Sequence, residues 1–525
     1  MGLRLFVFIA ALLTSVASEA VVTLSVDSAQ RHQSWEGWEA TVEQFHIDVP
    51  FPGDQHPVPQ NILNGLIDDA VNNLGLTALR LEVHPVHRGG GMEESNDNKD
   101  PFVLDSGKIR WANLDAYVRC IAIPFKQRVE ARGEKFTLNL HAVAWGVWHW
   151  HSPTSDPGQE YAEFMMACLD RLKDRHRIVP DYLTIYNEPN NGSEGRDVVI
   201  RAMKKLTARM QAAGYATKLR FPDTSTASAA LSWFDRLVAT EPGLMRQVGH
   251  LSFHGYGGFN PSTLNAIRSR AEEHGIATSQ TEWWFTSNHP PDIFSSMTEA
   301  DVTLYQPYAL GAWPNNNPSR GLYACTYLGG DFPLHSYTGW RRGPDWYEIY
   351  QFSAFIRPGD VRIEITTSND SINPVAFRKP EGEIVVVAIN STSAGQDVQI
   401  EGLPTGTYGI VYTAPGDEGK GIPPISLEKG QSLAFQIPGN AIAAFHPISK
   451  STFKVEEMSY TPDGAKLEWG VVPGATYQVH FSSALETWSP LTKVLRPPQG
   501  AGSLSVVDRD SHALPRGFYK VGLLP

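Results

Sequence analysis

The stretch Asp181-Tyr-Leu-Thr-Ile-Tyr-Asn-Glu-Pro-Asn190 decides the fold. Its apolar and aromatic residues form a short β-prone run, which Asn187-Glu188-Pro189 ends abruptly. A run of this kind bounded by proline is typical of a buried strand followed by a loop. In α/β enzymes, a carboxylate at the carboxyl end of a buried strand lies where catalysis takes place. Glu188 is therefore a candidate catalytic residue.

A second run, Ile276-Ala-Thr-Ser-Gln-Thr-Glu282, has the same form and is followed by two tryptophans. Most glycosidases break the glycosidic bond with a pair of carboxyl groups, which two strand ends could supply here. In a retaining mechanism the carboxyl groups stand about 5–5.5 Å apart, and strands four and seven of a barrel can bring them across its mouth. The pair predicts Glu188 as the general acid/base and Glu282 as the ionised nucleophile. Either glutamate alone could be a surface carboxylate at a loop end, so the hypothesis depends on the pair.

Strand-like and helix-like segments alternate between residues 35 and 349. Helical periodicity marks residues 161–175 and 199–213, and Asn260-Pro261 begins a helix that Gly275 ends. The predicted strands are 77–83, 135–141, 181–187, 218–221, 250–256, 276–282 and 321–327. This rhythm predicts an α/β fold whose catalytic domain, residues 35–349, is a (β/α)8 TIM barrel.

The composition changes near Tyr350, where short alternating strands separated by glycine, proline and serine turns begin. They predict a β-sandwich side domain over residues 350–449. A linker near residues 448–452 precedes a further small all-β module, residues 450–525. At the other end, residues 1–20 have the positive flank, short apolar core and small-residue exit of a signal peptide. We therefore expect a secreted protein, extracellular or periplasmic.

The composition of the 525 residues excludes several partners. The net charge is −12 and there is no basic tract, so a nucleic-acid or anionic-membrane partner is not expected. No stretch is long and apolar enough to span a bilayer. Three cysteines in separate elements do not predict a disulfide framework. His250 and His254 have a spacing found in metal sites, but they lie in a strand-like run, so we expect no metal there. We also expect that the protein needs no cofactor and is a monomer.

Four stretches of the sequence resemble glycoside hydrolase family 30, within the clan of retaining barrel glycosidases. They are Arg31-His-Gln-Ser-Trp-Glu-Gly-Trp-Glu-Ala-Thr41, Tyr186-Asn-Glu-Pro189, Ser279-Gln-Thr-Glu-Trp283 and Gln351-Phe-Ser-Ala-Phe-Ile-Arg-Pro-Gly-Asp-Val-Arg362. The resemblance covers residues 21 to 450. Family 39 enzymes carry similar Asn-Glu-Pro-Asn and Thr-Glu-Trp motifs, so the two motifs are more specific for the clan than for the family.

The resemblance implies further features. An N-terminal strand within residues 21–34 should join the side sandwich. Family 30 usually has a Gly-Phe-Gly-Gly-like first turn, whereas this sequence has Gly37-Trp-Glu-Ala40. This difference would bring Glu39 near the site, where we expect it to contact the substrate. In the clan, an arginine at the position of Arg80 hydrogen-bonds the nucleophile and keeps it charged. The C-terminal segment resembles a small fibronectin-like module found at the ends of bacterial secreted proteins.

Several polar residues are candidates for substrate binding or for orienting the carboxylates. Asn187 could hold the sugar 2-hydroxyl. His254 and Tyr256 end the strand before that of Glu282, and one of them is expected to donate to it. The alternatives are a structural ion pair of Arg80 with Glu82 and a core histidine and tyrosine. Three glutamates near the first turn could repel a negative charge on Glu188: Glu36, Glu39 and Glu43.

Tryptophans are dense near both motifs. Trp145 and Trp148 crowd one predicted loop, and Trp283 and Trp284 follow Glu282. Because sugar rings have apolar faces that stack on aromatic planes, this density suits a carbohydrate cleft. The alternative is that about half of these rings pack the core.

Taken together, these features predict a secreted retaining β-glycosidase, endo-acting on a β-glucan, β-galactan or xylan. An exo-acting family 39-like glycosidase is the alternative within the enzyme class. A non-catalytic carbohydrate-binding protein on the same barrel is a second alternative, although both glutamates are present. A serine esterase is not favoured, because the sequence lacks a Gly-x-Ser-x-Gly elbow.

Overall fold

A computed structural model provides the structure of this chain. It describes residues 21–42, 58–85, 92–93, 97–100, 102–143, 157–192, 195–283, 289–312, 322–327, 337–448, 455–461, 463–470, 476–482, 489–492, 495, 503–509 and 518–524. The predicted signal peptide and most of the predicted linker lie outside these residues.

The described chain opens with a long strand, β1 (Val22–Ser34), and then enters a closed barrel of eight parallel strands. In barrel order the strands are β2 (Gly37–Thr41), β3 (Ala78–Val83), β4 (Thr137–Ala142), β5 (Tyr182–Thr184), β6 (Lys218–Thr224), β7 (Val248–His254), β8 (Ala277–Glu282) and β9 (Val302–Tyr305). The predicted fold class is confirmed.

The interior of this barrel is polar. In β3, Leu79 and Leu81 belong to the large hydrophobic core, while Arg80 between them is buried but polar. Successive side chains of a strand point to opposite faces, so leucines pack outward and the charged residues point inward. The same alternation in β4 places Asn139 and His141 inside. A polar interior supplies side chains for a site at the mouth.

Helices cover the barrel. Their bounds are α1 (Gln60–Asp69), α2 (Ala112–Tyr117), α3 (Ile123–Ala131), α4 (Pro157–His176), α5 (Arg196–Ala212), α6 (Ala227–Thr240), α7 (Pro261–His274), α8 (His289–Glu299) and α9 (Pro344–Ser353). The side chain of Asn260 caps α7 by accepting from the Thr263 amide (3.1 Å), and Gly275 ends it in the left-handed conformation, as predicted. Within the described residues, no helix is long and apolar enough to span a bilayer.

The first and last barrel strands differ from the sequence prediction. Residues 37–41, predicted as a glycine turn, form the first strand, and β9 forms the eighth. The predicted strand at 321–327 exists as β11 (Tyr323–Tyr327), but it lies outside the barrel, between β10 (Gly311–Ala312) and β12 (Tyr337–Arg342). The reason is that β9 closes the barrel by pairing with both β2 and β8 before β11 is reached.

The side domain is one nine-stranded sheet that includes β1. Its other strands are β13 (Val361–Thr367), β14 (Ile372–Arg378), β15 (Ile384–Asn390), β16 (Gln396–Glu401), β17 (Gly406–Ala414), β18 (Asp417–Leu427), β19 (Leu433–Ile437) and β20 (Ala441–Pro447). The strand β1 pairs antiparallel with β13 and parallel with β16. The N-terminal segment is thus held in the sandwich sheet before the barrel begins.

The strand β15 shows how the sheet and the barrel share a core. Every residue of β15 is buried. Val385 and Val387 belong to the same hydrophobic core as the barrel helices, whereas Val386 and Ala388 belong to the core enclosed by the sheet itself. Because both faces are covered, the strand is an unbroken apolar run in the sequence.

The last module contains two three-stranded sheets. Their strands are β21 (Val455–Thr461), β22 (Gly464–Gly470), β23 (Thr476–Ser482), β24 (Ser489–Pro490), β25 (Ser503–Asp508) and β26 (Phe518–Leu524). Four buried residues, Leu467, Trp469, Tyr477 and Val479, form a small core of their own from both sheets. This agrees with the predicted all-β module.

Glu39 lies inside the barrel and not at its mouth. Both of its carboxylate oxygens accept from Nη1 of Arg220 in β6, at 2.8 and 2.7 Å, and neither side chain is exposed. A fully buried carboxylate in a closed ion pair is out of reach of a substrate. The structure therefore contradicts the expectation that Glu39 contacts a substrate, which was based on its nearness in sequence to the first turn.

The Glu39→Gln substitution is expected to lower the free energy of unfolding by about 3–5 kcal/mol, because it leaves the Arg220 charge buried without its counter-ion. Chemical denaturation monitored by tryptophan fluorescence measures this. Asp197→Asn is the matched control, since Asp197 pairs with Arg236 at the surface (2.8 Å), and such pairs contribute little. Equal, negligible effects of both substitutions would contradict the importance of the buried pair.

Candidate active site

Glu188 lies just beyond the carboxyl end of β5, the fourth barrel strand, in an unusual backbone conformation. Its φ is +48°, and Asp223 at the end of β6 has φ +60°. The Glu188 amide donates to the Asp223 carbonyl at 3.0 Å, which joins the two strand ends. Left-handed conformations are uncommon for residues other than glycine and concentrate at functional sites. The backbone thus fixes both carboxylates at the mouth.

Glu282 is the last residue of β8, the seventh barrel strand. One side-chain atom each of Glu188, His254 and Glu282 forms a group in which all three atoms lie within 4.8 Å of one another. Glu188 and Glu282 are each 7% exposed. The structure therefore brings the two sequence-predicted glutamates together at the mouth of the barrel, with oxygens of the two carboxyl groups no more than 4.8 Å apart.

Two donors hold the carboxylate of Glu282. Nη1 of Arg80 lies 2.9 Å from its Oε2, and the hydroxyl of Tyr256 donates to its Oε1 at 2.9 Å. Arg80 also contacts Glu82, its Nε lying 2.8 Å from Oε1. The two interpretations of Arg80, a partner of Glu282 and a structural ion pair with Glu82, are therefore both present in one side chain.

Burial and charge act in opposite directions on Glu282. Burial raises the pKa of Glu282 above its ordinary value, while His254 and Arg80 lower it and the Glu188 carboxylate raises it again. For Arg80, burial lowers the pKa, but the Glu82 and Glu282 carboxylates outweigh burial and raise it. Arg80 is thus a permanent cation beside Glu282, and it limits the increase in that carboxyl's pKa.

His254 at the end of β7 connects Glu188 to Asp223. Its Nδ1 lies 2.9 Å from Oε1 of Glu188, and its Nε2 lies 3.2 Å from Oδ2 of Asp223. Burial lowers the pKa of His254, but Glu282 and Asp223 outweigh burial and raise it to about 10. The ring is therefore a cation at neutral pH and donates from both nitrogens. An imidazolium has no free lone pair, which favours an acid–base site over a metal site.

Asp223 is a site residue that the sequence analysis did not identify. It is fully buried, and its carboxylate also lies 3.3 Å from Nε2 of His141 and accepts from the Thr281 hydroxyl. Burial raises the pKa of Asp223, but His254, His141 and Arg80 outweigh it and hold the pKa well below its usual range. The sequence contains a signal for this residue: Asp223 closely follows the predicted strand 218–221, as Glu188 follows the predicted strand 181–187.

Two asparagines complete the polar rim. Oδ1 of Asn187 accepts from Nη2 of Arg80 at 2.9 Å, and its amide nitrogen donates to no described residue, which leaves it available to a ligand hydroxyl. Nδ2 of Asn191 donates to Oε2 of Glu188 at 2.9 Å. The carboxyl of Glu188 is therefore fixed on one oxygen by His254 and on the other by Asn191.

The aromatic candidates are only partly described. Trp283 is half-buried beside Glu282 and contacts the edge of Phe259, with ring centroids 4.6 Å apart. Its ring lies so close to Gly255 that a Cβ there would stand 1.2 Å from it, so glycine is required at that position. The other predicted tryptophans, Trp145, Trp148 and Trp284, lie outside the described residues, as does Glu43.

Glu36 lies at the opposite end of the barrel from Glu188. Its carboxylate contacts the hydroxyls of Tyr182 and Thr303 at 2.9 and 3.0 Å, and Nε2 of His250 at 3.1 Å. All three partners stand at the beginnings of their strands. The expectation that Glu36 repels a charge on Glu188 is therefore wrong. His250 and His254 also lie at opposite ends of β7, so their sequence spacing does not make a joint metal site.

Comparison with known proteins supports the architecture. The sequence model of the glycosyl hydrolase family 30 β-sandwich domain matches residues 359–445. Among curated protein sequences, none matches the chain.

Three of the solved structures with a similar fold are a xylanase, a glucanase and an iduronidase orthologue. The catalytic domain of a family 30 xylanase C from Talaromyces cellulolyticus is 18% identical, with a TM-score of 0.63 over 81% of this chain and 100% of that one. An endo-β-1,6-glucanase is 15% identical, with a TM-score of 0.58 over 81% and 95%. A bacterial orthologue of human α-L-iduronidase is 12% identical, with a TM-score of 0.55 over 95% and 96%.

The fold and the side domain define the class. This chain is a (β/α)8 barrel with a family 30 type β-sandwich attached to it. The sandwich match confirms the resemblance to glycoside hydrolase family 30 for the side domain, and the solved family 30 structures show the same fold.

The raised pKa of His254 makes stability depend on pH in a specific direction. The protonated ring stabilises the fold fully below the ordinary pKa of 6.5, and this contribution is lost as pH rises through about 10. Between these values the free energy of unfolding should fall by up to about 1.4 kcal/mol per pH unit through this group alone. Urea unfolding of wild type and His254→Gln measures it as the difference between the two slopes.

His446→Gln is the matched control for this experiment. His446 is also a buried histidine, but burial lowers its pKa to about 4, so it is neutral across the same pH window. Its replacement should leave the slope of wild type unchanged. Parallel stability curves for wild type and His254→Gln would show that His254 is not protonated in the folded protein.

Proposed function

We propose that this protein is a retaining β-glycosidase that hydrolyses a β-linked glycan by double displacement. The observation that supports this proposal is the pair of Glu188 and Glu282 at the ends of barrel strands four and seven, with side-chain atoms within 4.8 Å of one another. This spacing leaves no room for a water molecule on the far side of the sugar, as an inverting mechanism requires.

In the first step, an oxygen of Glu282 attacks the anomeric carbon while the glycosidic bond breaks. Glu188 gives its proton to the departing oxygen, so the leaving group departs as an alcohol. The contacts of Glu282 suit a nucleophile, because Arg80 and Tyr256 both stabilise its ionised form. Asn187 is placed beside the acid, where its amide can donate to the sugar 2-hydroxyl.

In the second step, Glu188 acts as a base. It removes a proton from water, and the resulting oxygen attacks the anomeric carbon of the glycosyl ester. The ester bond breaks, Glu282 leaves as a carboxylate, and Glu188 is again protonated. His254 and Asn191 hold Glu188 in place during both steps.

For the substrate, we propose a β-glucan, β-galactan or xylan attacked internally, and we propose that the enzyme is secreted, as residues 1–20 indicate. An exo-acting family 39-like glycosidase is the alternative, and α-L-iduronidase activity is one form that it could take. It is favoured by one observation, since the α-L-iduronidase orthologue matches 95% of this chain and so extends into the last module, whereas the xylanase matches 81%. Aryl α-L-iduronides therefore belong in the substrate test.

The Glu188→Gln and Glu282→Gln substitutions are each expected to lower the rate of hydrolysis of the polysaccharide that the wild type cleaves by about 10²-fold or more. On an aryl glycoside with an acidic phenol, Glu188→Gln should retain more activity, because a good leaving group needs little protonation. Reducing-sugar release from β-glucans, β-galactans and xylans, and phenol release from aryl glycosides and iduronides, measure these rates.

Glu36→Gln is the matched control, since Glu36 is a partly buried carboxylate at the opposite end of the same barrel. It should keep the wild-type rate. Activity that survives Glu282→Gln would overturn the nucleophile assignment. Wild-type inactivity on every substrate would favour the carbohydrate-binding alternative, which equilibrium binding to the same polysaccharides would then test.

Tyr256→Phe is expected to move the acid limb of the kcat/KM profile to higher pH by about one unit. The tyrosine hydroxyl hydrogen-bonds the Glu282 carboxylate at 2.9 Å, and loss of a bond to a charged group raises that carboxyl's pKa further. Because Glu282 must be ionised to attack, activity on the acid side is then lost at a higher pH. The measurement is kcat/KM against pH with an aryl glycoside.

Tyr182→Phe provides the matched control for this profile. Its hydroxyl also hydrogen-bonds a carboxylate at 2.9 Å, but that carboxylate is Glu36, at the far end of the barrel. The acid limb of Tyr182→Phe should coincide with that of wild type. An acid limb that Tyr256→Phe leaves in place would show that ionisation of Glu282 does not govern the reaction.

A further inference from the structure

A second acidic cluster lies apart from Glu188 and Glu282. Glu93 and Asp97 belong to the segment after β3, and Glu160 and Glu163 belong to the first two turns of α4. Glutamates three residues apart lie on the same face of a helix, so both can turn toward that segment. One carboxylate oxygen each of Asp97, Glu160 and Glu163 forms a group whose members all lie within 4.8 Å of one another.

Two of the three grouped carboxylates are buried and Glu160 is half-buried, which is unusual for like charges. Asp97 is 1% exposed and Glu163 is 6% exposed. Carboxylates in such surroundings normally have a counter-ion or a hydrogen-bond donor. Oε1 of Glu163 is buried and has no hydrogen-bond partner among the described residues, although its carboxyl group lies in the cluster. A buried carboxylate oxygen without a described donor, in a residue grouped with two further carboxylates, is a place where a cation can bind.

Asp97 is held in a fixed position. Its carboxylate accepts from the backbone and side-chain amides of Asn98, both at 2.8 Å, and from the Asp105 backbone amide. Its own backbone amide donates to Oε1 of Glu93 at 3.1 Å. Such contacts orient a carboxylate before it meets a ligand and leave some of its lone pairs available. The function of Glu93 in this arrangement is to position Asp97.

Two cations near the cluster, Lys108 and Arg209, also have contacts outside it. Lys108 donates to the backbone carbonyl of Asp97 at 2.5 Å and not to its carboxylate. Arg209 acts electrostatically on Glu163, but its guanidinium also donates to Oε1 of Gln159 at 2.9 Å and lies over the ring of Phe102.

We propose that Asp97, Glu160 and Glu163 bind a calcium ion. Calcium takes 6–8 oxygen ligands at about 2.3–2.6 Å, so two oxygens on one ion stand up to about 5 Å apart, which the observed group satisfies. Three carboxylates with few other ligands leave positions for water. Magnesium prefers one or two carboxylates, and the described cluster offers none of the nitrogen or sulfur ligands that zinc or copper prefers.

The calcium ion would join two parts of the catalytic face. The segment carrying Asp97 follows β3, the strand of Arg80, and α4 leads into β5 and Glu188. A cation between them ties the connection after the second barrel strand to the helix that precedes the fourth. We expect it to stabilise the fold without contacting the reacting atoms.

Calcium binding is tested on the full chain after treatment with EDTA and removal of the chelator. Isothermal titration with calcium chloride should show one site, and millimolar calcium should raise the melting temperature. Asp97→Asn and Glu163→Gln should each weaken binding by about tenfold or more, because each removes a charged ligand. Asp174→Asn, an exposed carboxylate on the same helix, should bind like wild type.

Circular dichroism without calcium shows whether each variant is folded. If one fails to fold, the other still decides the question. Absence of heat and of any melting shift in wild type would overturn the proposal, as would wild-type affinity in both variants. The carboxyl groups would then share protons instead of a cation. Because binding and melting do not depend on catalysis, this outcome is independent of the proposed glycosidase activity.

Discussion

The ion pair between Arg80 and Glu282 is the interaction on which the candidate site depends. One guanidinium, 1% exposed, reaches Glu282 at the end of β8, Glu82 on its own strand and Asn187 beyond β5. Removing one member of such a buried pair typically costs about 3–5 kcal/mol, because the remaining charge is left without a partner. The ion pair of Arg80 and Glu282 therefore also helps to hold the ends of β3, β5 and β8 in position.

A barrel with a charged interior needs its apolar burial elsewhere. Here the leucines and valines of the strands face outward and pack under the helices, in a core that extends into the β-sandwich through Val385 and Val387. The strand β1 is part of the same arrangement, since it is paired in the sandwich sheet before the chain enters β2. The polar, partly strained mouth of the barrel lowers the stability of the fold, and the packing of the sandwich against the barrel offsets part of this loss.

The sequence was informative where the signal is local. The strands ending in Glu188 and Glu282, the Asn260 cap and the apolar run of β15 follow from periodicity and composition. It was misleading where partners come from across the barrel. Glu39 stands near the first motif in sequence, yet strand alternation turns it inward to Arg220. The five-residue strand β2 resembled a turn in the sequence because it begins with a glycine. In the structure Gly37 has φ +158°, which is an extended conformation. The link from Asp223 through His254 to Glu188 depends on β6, β7 and the β5 loop meeting, which no single window of sequence contains.

The proposed reaction moves a negative charge, and the site has a cation at each end of that movement. Before the first step the charge is on Glu282, 2.9 Å from Arg80. When the glycosyl ester forms, Glu282 becomes neutral and Glu188, having given up its proton, carries the charge 2.9 Å from His254. The net charge of the pair is unchanged, so a buried site need not admit or expel an ion during the cycle. This holds only while His254 stays protonated. Asp223, whose pKa is held well below its usual range, lies behind the ring at 3.2 Å and stabilises the protonated form. Arg80 and His254 thus each stabilise one of the two carboxylates, so the negative charge can pass from Glu282 to Glu188 across no more than 4.8 Å.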